Sequence, residues 1–219
     1  MVLTVLLVTL LAVAAFVACR WVLTRWDQSR AGLSRPFPRI SVTLCLVGAL
    51  ACAVPLWLHD RLEHELSAAA SAVAGTDVEV HCQTASQTFT EAGAELGFVR
   101  WGADGIPERS TVLAWETCQD LRSWLRSDRR SPTTAQVTAV HVLTHETMHM
   151  IGIKAEAHAE CAAVQRDART AVELGASSAQ AAGLARTYWT EVYPHMPDGY
   201  TGGCGPAGRY DERLSDAPW

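Results

Sequence analysis

Positive charge is scarce in this 219-residue chain outside one short segment. The chain has 23 acids and 18 lysines or arginines, and residues 1–58 hold 1 of those acids and 5 of those basic residues, so residues 59–219 carry 22 acids against 13 basic residues. This segment therefore lacks the basic footprint of a nucleic-acid-binding domain. Solubility is enough to account for its acidity.

Two stretches, 2–19 and 40–58, lack charged residues altogether. As a helix, the second would be about 28 Å long, close to the hydrocarbon thickness of a bilayer. The alternative is a cleaved signal peptide followed by a buried core helix, but the first stretch lacks the basic start of a signal peptide. The pattern predicts two transmembrane helices, with the lipid bilayer as a partner.

The orientation of these helices follows from the segment between them. Against a single acid, Asp27, residues 20–39 contain Arg20, Arg25, Arg30, Arg35 and Arg39. Loops rich in arginine stay in the cytoplasm. We therefore expect 1–58 to be a membrane anchor in the cell membrane with a cytoplasmic loop at 20–39. Both chain ends then lie outside, and 59–219 forms an extracytoplasmic domain.

The cysteines of the outer domain lack the CxxC spacing that is typical of cysteine-rich zinc sites. There are four of them, and an even number of cysteines in an oxidising compartment favours disulfide bonds. They allow three pairings, of which proximity in the sequence favours Cys82–Cys118 and Cys161–Cys204.

Hydrophobic periodicity predicts a mainly α (α+β) outer domain with a small sheet. Val78, Val80 and Cys82 alternate as in a strand, and a second short strand precedes the turn at Asp104-Gly105. Helices are predicted over 59–75, over 110–127, from a cap at Ser131 to Met150, over 154–174 and over 177–193.

The most informative motif is "HETMH", which runs from His145 to His149 inside a predicted helix. Residues i and i+4 share one helix face, so both histidines can offer a nitrogen to one zinc ion. Glu146 is the next residue round the helix, where its carboxylate can take a proton from a metal-bound water. These polar side chains lie in an otherwise apolar helix, and burying them costs free energy unless they have partners.

Two glutamates follow at helical spacing. Glu156 and Glu160 are four residues apart and lie on one face of the next predicted helix. One can bind zinc while the other accepts the second N–H of a zinc-bound histidine. The spacing alone leaves open which glutamate does which.

Over residues 145–161 the sequence resembles the gluzincin-type zinc metallopeptidases, in which a glutamate on a later helix completes HExxH. The resemblance implies a zincin-like helical domain with His145, His149 and Glu156 as zinc ligands and Glu146 as the catalytic base. It also implies that Glu160 supports the first histidine. The two apolar stretches followed by this motif also resemble bacterial membrane-anchored proteins with a candidate peptidase site.

The sequence also departs from the patterns of known zinc peptidases. Only six residues separate His149 from Glu156, which is short for gluzincins. The metzincin pattern HExxHxxGxxH matches through Gly152 but has Ala155 where its third histidine should be. His158, two residues after Glu156, faces elsewhere on the predicted helix.

Each of these residues also has a structural interpretation. The two HExxH histidines can be satisfied interior side chains, and the two glutamates can be solvated surface charges. His141 is interpreted as a structural polar residue rather than a ligand. Tyr188, Tyr193 and His195 are groups that can polarise a carbonyl, but a structural role is favoured for each.

Two functions remain. One is a membrane-anchored extracytoplasmic zinc-dependent hydrolase, most simply a peptidase acting on peptides or proteins. The other is a non-catalytic module in which a structural metal site or polar cluster holds helices together. A structural zinc site is closed by four protein ligands, whereas a catalytic site keeps one position open.

Overall fold

The computed structural model describes residues 2–28, 36–84 and 96–219. These residues are mainly helical with a small sheet, as predicted, and the sheet has three strands. The helices are α1 (Val2–Gln28), α2 (Arg39–Ala74), α3 (Trp115–Arg126), α4 (Thr134–Met150), α5 (Glu156–Val164), α6 (Asp167–Glu173) and α7 (Ser178–Thr187), followed by a π-helix (Tyr188–Val192) and a 3₁₀ helix (Tyr193–His195). The strands are β1 (Glu79–Cys82), β2 (Gly97–Trp101) and β3 (Pro107–Leu113).

The two N-terminal helices, α1 and α2, are long and apolar enough to cross a membrane. Both extend beyond the apolar stretches, and α2 also includes the separate helix predicted over 59–75. Residues 56–74 contain no glycine or proline, so the helix continues to Gly75, which has a φ of +70°. Residues 29–35, with Arg30 and Arg35 of the predicted loop, lie outside the described residues.

The chain divides into two compact units, Met1–Arg61 and Leu62–Trp219. The last turns of α2 belong to the second unit and bury Leu62, Leu66 and Ala70 in its core. The boundary predicted at 58/59 stays a prediction about where the membrane anchor ends.

In the sheet, β3 lies between β1, to which it is parallel, and β2, to which it is antiparallel. β1 buries Val80 and Cys82 on one face, as the alternation predicts. The helix predicted over 110–127 is wrong in its first residues, because 110–113 belong to β3 and α3 begins at Trp115. Thr111 and Val112 are β-branched, and pairing with two strands outweighs the helical spacing.

Helix α4 lies at the centre of the second unit, packed against α3, α5, α6, β2 and β3. It is capped by Thr133, which forms a capping box with Gln136, and not by Ser131 as predicted. All residues from Ala139 to Met150 are buried. A polar side chain on this helix therefore needs a partner from a neighbouring element.

Two helices are shorter than predicted. The helix expected over 154–174 is interrupted between α5 and α6, where the buried Gln165 side chain donates to the carbonyls of Cys161 and Tyr210. The helix expected over 177–193 changes to a π-helix at Tyr188. Asp167, after the first interruption, and Tyr188, at the second, both contact His141 of α4. π-Helical turns are frequent at functional sites.

Two disulfides join the predicted pairs, Cys82–Cys118 and Cys161–Cys204. The first ties β1 to α3. The second ties α5 to the irregular C-terminal segment, next in sequence to Glu160. Disulfides of this kind persist in oxidising compartments.

Candidate metal centre

Three side chains from α4 and α5 bring one ligand atom each to a common point. The Nε2 atoms of His145 and His149 are 2.9 Å apart. A carboxylate oxygen of Glu156, Oε2, lies 3.2 Å from the first and 3.4 Å from the second. His145 and His149 are buried, whereas the Glu156 side chain is 46% exposed. A His/Glu group with these separations could hold a metal ion, and these three residues are called the metal-facing cluster below.

The turn after α4 explains how Glu156 reaches the histidines across a short connection. Gly152 has a φ of +104°, and its N–H donates to the His149 carbonyl. The Ile153 N–H donates to the Met148 carbonyl, which completes a Schellman motif. The chain reverses at once, and Glu156, the first residue of α5, comes back over the last turn of α4.

The second nitrogen of each metal-facing histidine is also held. His149 Nδ1 lies 2.7 Å from the carbonyl oxygen of Ile153, and His145 Nδ1 lies 3.1 Å from Oε2 of Glu160. A carbonyl and a carboxylate only accept, so both Nδ1 atoms carry hydrogen. In neutral rings both Nε2 atoms then have lone pairs, and these face each other and Glu156. A cation satisfies this arrangement of three acceptors.

The pKa shifts of these three side chains agree with a site that favours a bound cation. Burial by itself lowers the pKa of His145, but hydrogen bonds to Glu156 and Glu160 outweigh it and raise that pKa. Burial and the neighbouring His145 lower the pKa of His149. The hydrogen bond with His145 lowers the pKa of Glu156, which keeps its carboxylate ionised.

Glu160 is buried behind His145. Its Oε2 accepts from both His141 Nε2, at 3.0 Å, and His145 Nδ1, and its Oε1 accepts from the Tyr188 hydroxyl at 2.7 Å. Burial alone would raise the pKa of Glu160, but the His141 charge and these three donors hold it below its usual range. Glu160 is thus a buried anion that supports His145, and not a solvated surface charge.

Glu146 is 5% exposed and lies on the wall of a cavity together with the three metal-facing residues. Strand β2 passes directly over it at Gly97. A side-chain carbon at Gly97 would lie 2.9 Å from the Cγ of Glu146, so glycine provides the room for this carboxylate.

The cavity has a volume of about 690 Å³. Residues of β2 and the residue before it line one part of the cavity, and residues of the C-terminal segment line another. Polar side chains beyond the metal-facing cluster also line it, namely Thr138, His141, Glu146, Glu160 and Tyr188. The apolar lining residues are Leu96, Phe98, Val99, Trp101, Val142, Met196 and Pro197. The Tyr200 ring also lines it, 5.9 Å from the His145 ring centre.

The structure brings together all five residues that the HExxH pattern and the two glutamates singled out. His158 lies apart from them, stacked on Tyr210 with ring centres 4.7 Å apart. His195 is exposed, and Tyr193 is buried with its ring stacked on Trp189.

Two participants were missed by sequence reasoning. Asp167 contacts His141, and Tyr200 reaches the cavity. Asp167 lies seven residues after Glu160, a helical spacing that could have indicated it, whereas Tyr200 lies in the irregular C-terminal segment. No periodic signal in the sequence could have found Tyr200.

Comparison of the chain with protein-family models, curated proteins and solved structures gives no match. The functional assignment therefore depends on the chemistry of the site alone.

Proposed function

We propose that this protein is a membrane-anchored extracytoplasmic zinc hydrolase that cleaves peptide bonds. The observation that carries this proposal is the convergence of His145 Nε2, His149 Nε2 and Glu156 Oε2 beside a buried glutamate on a cavity wall. The donor set matches zinc, which favours imidazole and carboxylate ligands.

The distances among the three atoms fit a tetrahedral zinc site. Zinc bonds of 2.0–2.1 Å at tetrahedral angles put ligand atoms about 3.3–3.4 Å apart. The observed separations are 2.9, 3.2 and 3.4 Å, so the three side chains need to move apart only slightly.

Zinc, when bound, polarises a substrate carbonyl and lowers the pKa of water. Glu146 would act as the base that takes a proton from the attacking water and returns it to the leaving amine. Its burial between α4 and Gly97 keeps this carboxylate at the cavity wall and limits the number of its rotamers. His145, His149 and Glu156 would hold the metal.

A peptide is favoured as substrate because of strand β2. Among the described residues β2 pairs with β3 alone, and its residues line the cavity. A strand edge binds an extended peptide through main-chain hydrogen bonds, and the apolar walls suit its side chains. Tyr200 lines the same cavity, with its ring centre 5.9 Å from that of His145, and is a hydrogen-bond donor that would serve a developing oxyanion.

The positions of His158 and Glu160 argue against a closed structural metal site. His158 stacks on Tyr210, and Glu160 contacts the Nδ1 side of His145, away from Nε2. The described residues thus supply three ligands next to a cavity, which is the arrangement of catalytic zinc sites.

The decisive variant is Glu146→Gln, studied in the full-length chain in detergent. An amide cannot accept the proton, so we expect hydrolysis of a library of quenched fluorescent peptides to fall by about 10²- to 10⁴-fold. Zinc content, measured by atomic emission, should remain that of the wild type. Glu173→Gln, at an exposed position of α6, is the matched control and should leave both unchanged. Undiminished hydrolysis by Glu146→Gln would overturn the catalytic mechanism, and a wild type without zinc would overturn the metal site.

The location is part of the proposal. It is supported by two helices that could cross a membrane, by the arginines between them and by two disulfides in the second unit. A reporter enzyme that is active only outside the cytoplasm should be active when fused after Trp219 and inactive when fused near Ser29. The reverse pattern would overturn the orientation.

A further inference from the structure

A chain of buried hydrogen bonds starts at Nδ1 of His145, the ring nitrogen that does not face Glu156. It passes from His145 to Glu160, from Glu160 to His141 and from His141 to Asp167. The last three side chains are at most 3% exposed. They come from α4, α5 and α6, so the chain joins all three helices around the candidate metal centre.

His141 occupies the middle of this chain. Its Nε2 lies 3.0 Å from Glu160 Oε2, and its Nδ1 lies 2.9 Å from Asp167 Oδ2. Each of its ring nitrogens can therefore donate to a carboxylate oxygen, so one imidazole links carboxylates on two helices. The HExxH chemistry makes no use of this residue.

Tyr188 fixes the ring of His141 from the side. The two rings are stacked, with centres 3.6 Å apart and planes at 11°. The Tyr188 hydroxyl donates to the second oxygen of Glu160. Both oxygens of Glu160 are thus held by donors that do not belong to the metal-facing set, which leaves its carboxylate one orientation.

We propose that His141, anchored by Asp167 and stacked on Tyr188, is a positioning residue that sets the Glu160 carboxylate and, through it, the ring of the metal ligand His145. The inference depends on the proposed function, because it assumes that His145 binds zinc. Outer partners of metal ligands typically contribute 10- to 100-fold to metal affinity. His141 acts one contact further out, so we expect an effect of about 10-fold.

The test measures zinc affinity of the full-length chain in detergent by competition with a chromophoric chelator. His141→Gln should raise the zinc Kd by about 10-fold, and Glu160→Gln by about 10- to 100-fold. In the Glu160→Gln background, His141→Gln should add little, because its route to His145 is already broken. The visible spectrum of the cobalt(II)-substituted chain should shift in both single variants.

Two further variants separate positioning from general packing. Thr147→Val changes an equally buried side chain of α4 whose hydroxyl donates to the Leu143 carbonyl, and it should leave the zinc Kd unchanged. Asp167→Asn keeps one acceptor oxygen and the size of the side chain. It should raise the Kd by about 3-fold, and it decides the question if His141→Gln does not fold.

An unchanged zinc Kd in His141→Gln, or in Asp167→Asn if that variant must decide, would overturn this inference and leave the proposed function standing. A fully additive effect in the double variant would also overturn it. Failure of the wild-type chain to bind zinc or cobalt would overturn the proposed function and this inference together.

Discussion

Two clusters of side chains share His145 and differ in what surrounds their nitrogen atoms. The outer cluster is His145, His149 and Glu156, and the inner cluster is His141, His145 and Glu160. Each brings three ligand atoms within 4.8 Å of one another. By residue type and distance alone, both qualify as metal sites.

The hydrogen-bond partners distinguish them. In the inner cluster His141 Nε2 and His145 Nδ1 both face Oε2 of Glu160. Both nitrogens can donate a hydrogen bond to this oxygen, so the inner cluster needs no metal ion. In the outer cluster two histidine nitrogens face each other, and their hydrogens are held on the opposite side of each ring. A metal in the inner cluster would also strip the hydrogen from His145 Nδ1. The partner of the second ring nitrogen, and not residue composition, separates a metal site from a structural cluster.

The largest expected effect comes from removing a nitrogen of the outer cluster. His149→Ala leaves one histidine and one half-exposed glutamate, which hold zinc poorly. We expect the zinc Kd of the full-length chain to rise by at least about 10³-fold, or about 4 kcal/mol. Competition with a chelator measures it.

His158→Ala is the matched control, because His158 lies two residues from Glu156 but stacks on Tyr210. It should bind zinc as the wild type does. If His158→Ala loses zinc and His149→Ala retains it, the outer cluster is not the metal site.

The outer cluster was largely predictable from the sequence. His145 and His149 are one helical turn apart, and this spacing decides their face in any helix. The same logic placed Glu156 and Glu160 together. Their different roles could not be derived from spacing, because they depend on the turn at Gly152 and on which ring nitrogen each carboxylate meets.

The inner cluster was not predictable to the same degree. His141 could be placed on the face of His145, and its partner Asp167 lies seven residues after Glu160, but α5 ends at Val164 and Asp167 begins a separate helix. That break depends on buried hydrogen bonds of Gln165 with distant backbone. Tertiary contacts of this kind leave no periodic trace, and the same is true of the pairing that turns residues 110–113 into β3.

The second expected effect concerns the pH dependence of the metal-free protein. Glu160 and Asp167 raise the pKa of His141 to about 10, against the effect of burial, and Tyr188 and His145 are its other titratable neighbours. Because this pKa lies above the ordinary value near 6.5, the stability it contributes is complete below about pH 6.5. That contribution is lost as the pH rises towards 10, by up to about 1.4 kcal/mol per pH unit.

Thermal unfolding in the presence of a chelator, from pH 6 to pH 9.5, measures this dependence. His141→Gln lacks the titrating group, so its stability should fall less with pH than that of the wild type. The difference between the two curves gives the contribution of the His141 charge together with its effect on Glu160, Asp167 and His145. Parallel curves would show that the inner cluster is not held by a His141 cation, and the contrast between the clusters would lose its electrostatic basis.

The smallest expected effect tests whether the turn after α4 serves the outer cluster alone. Gly152 has a φ of +104°, where a side chain strains the backbone by about 1–2 kcal/mol. In Gly152→Ala the Ile153 carbonyl and Glu156 should shift relative to His149, and the zinc Kd should rise by about 3- to 10-fold.

Gly75→Ala is the control, since Gly75 also ends a helix at positive φ and has nothing within 4 Å of an added carbon. It should lower the unfolding temperature without changing the zinc Kd. The pH dependence of the metal-free Gly152→Ala chain should match the wild type, because the inner cluster does not use this turn. Equal zinc affinities in the two glycine variants would mean that the short connection from His149 to Glu156 does not position the third ligand.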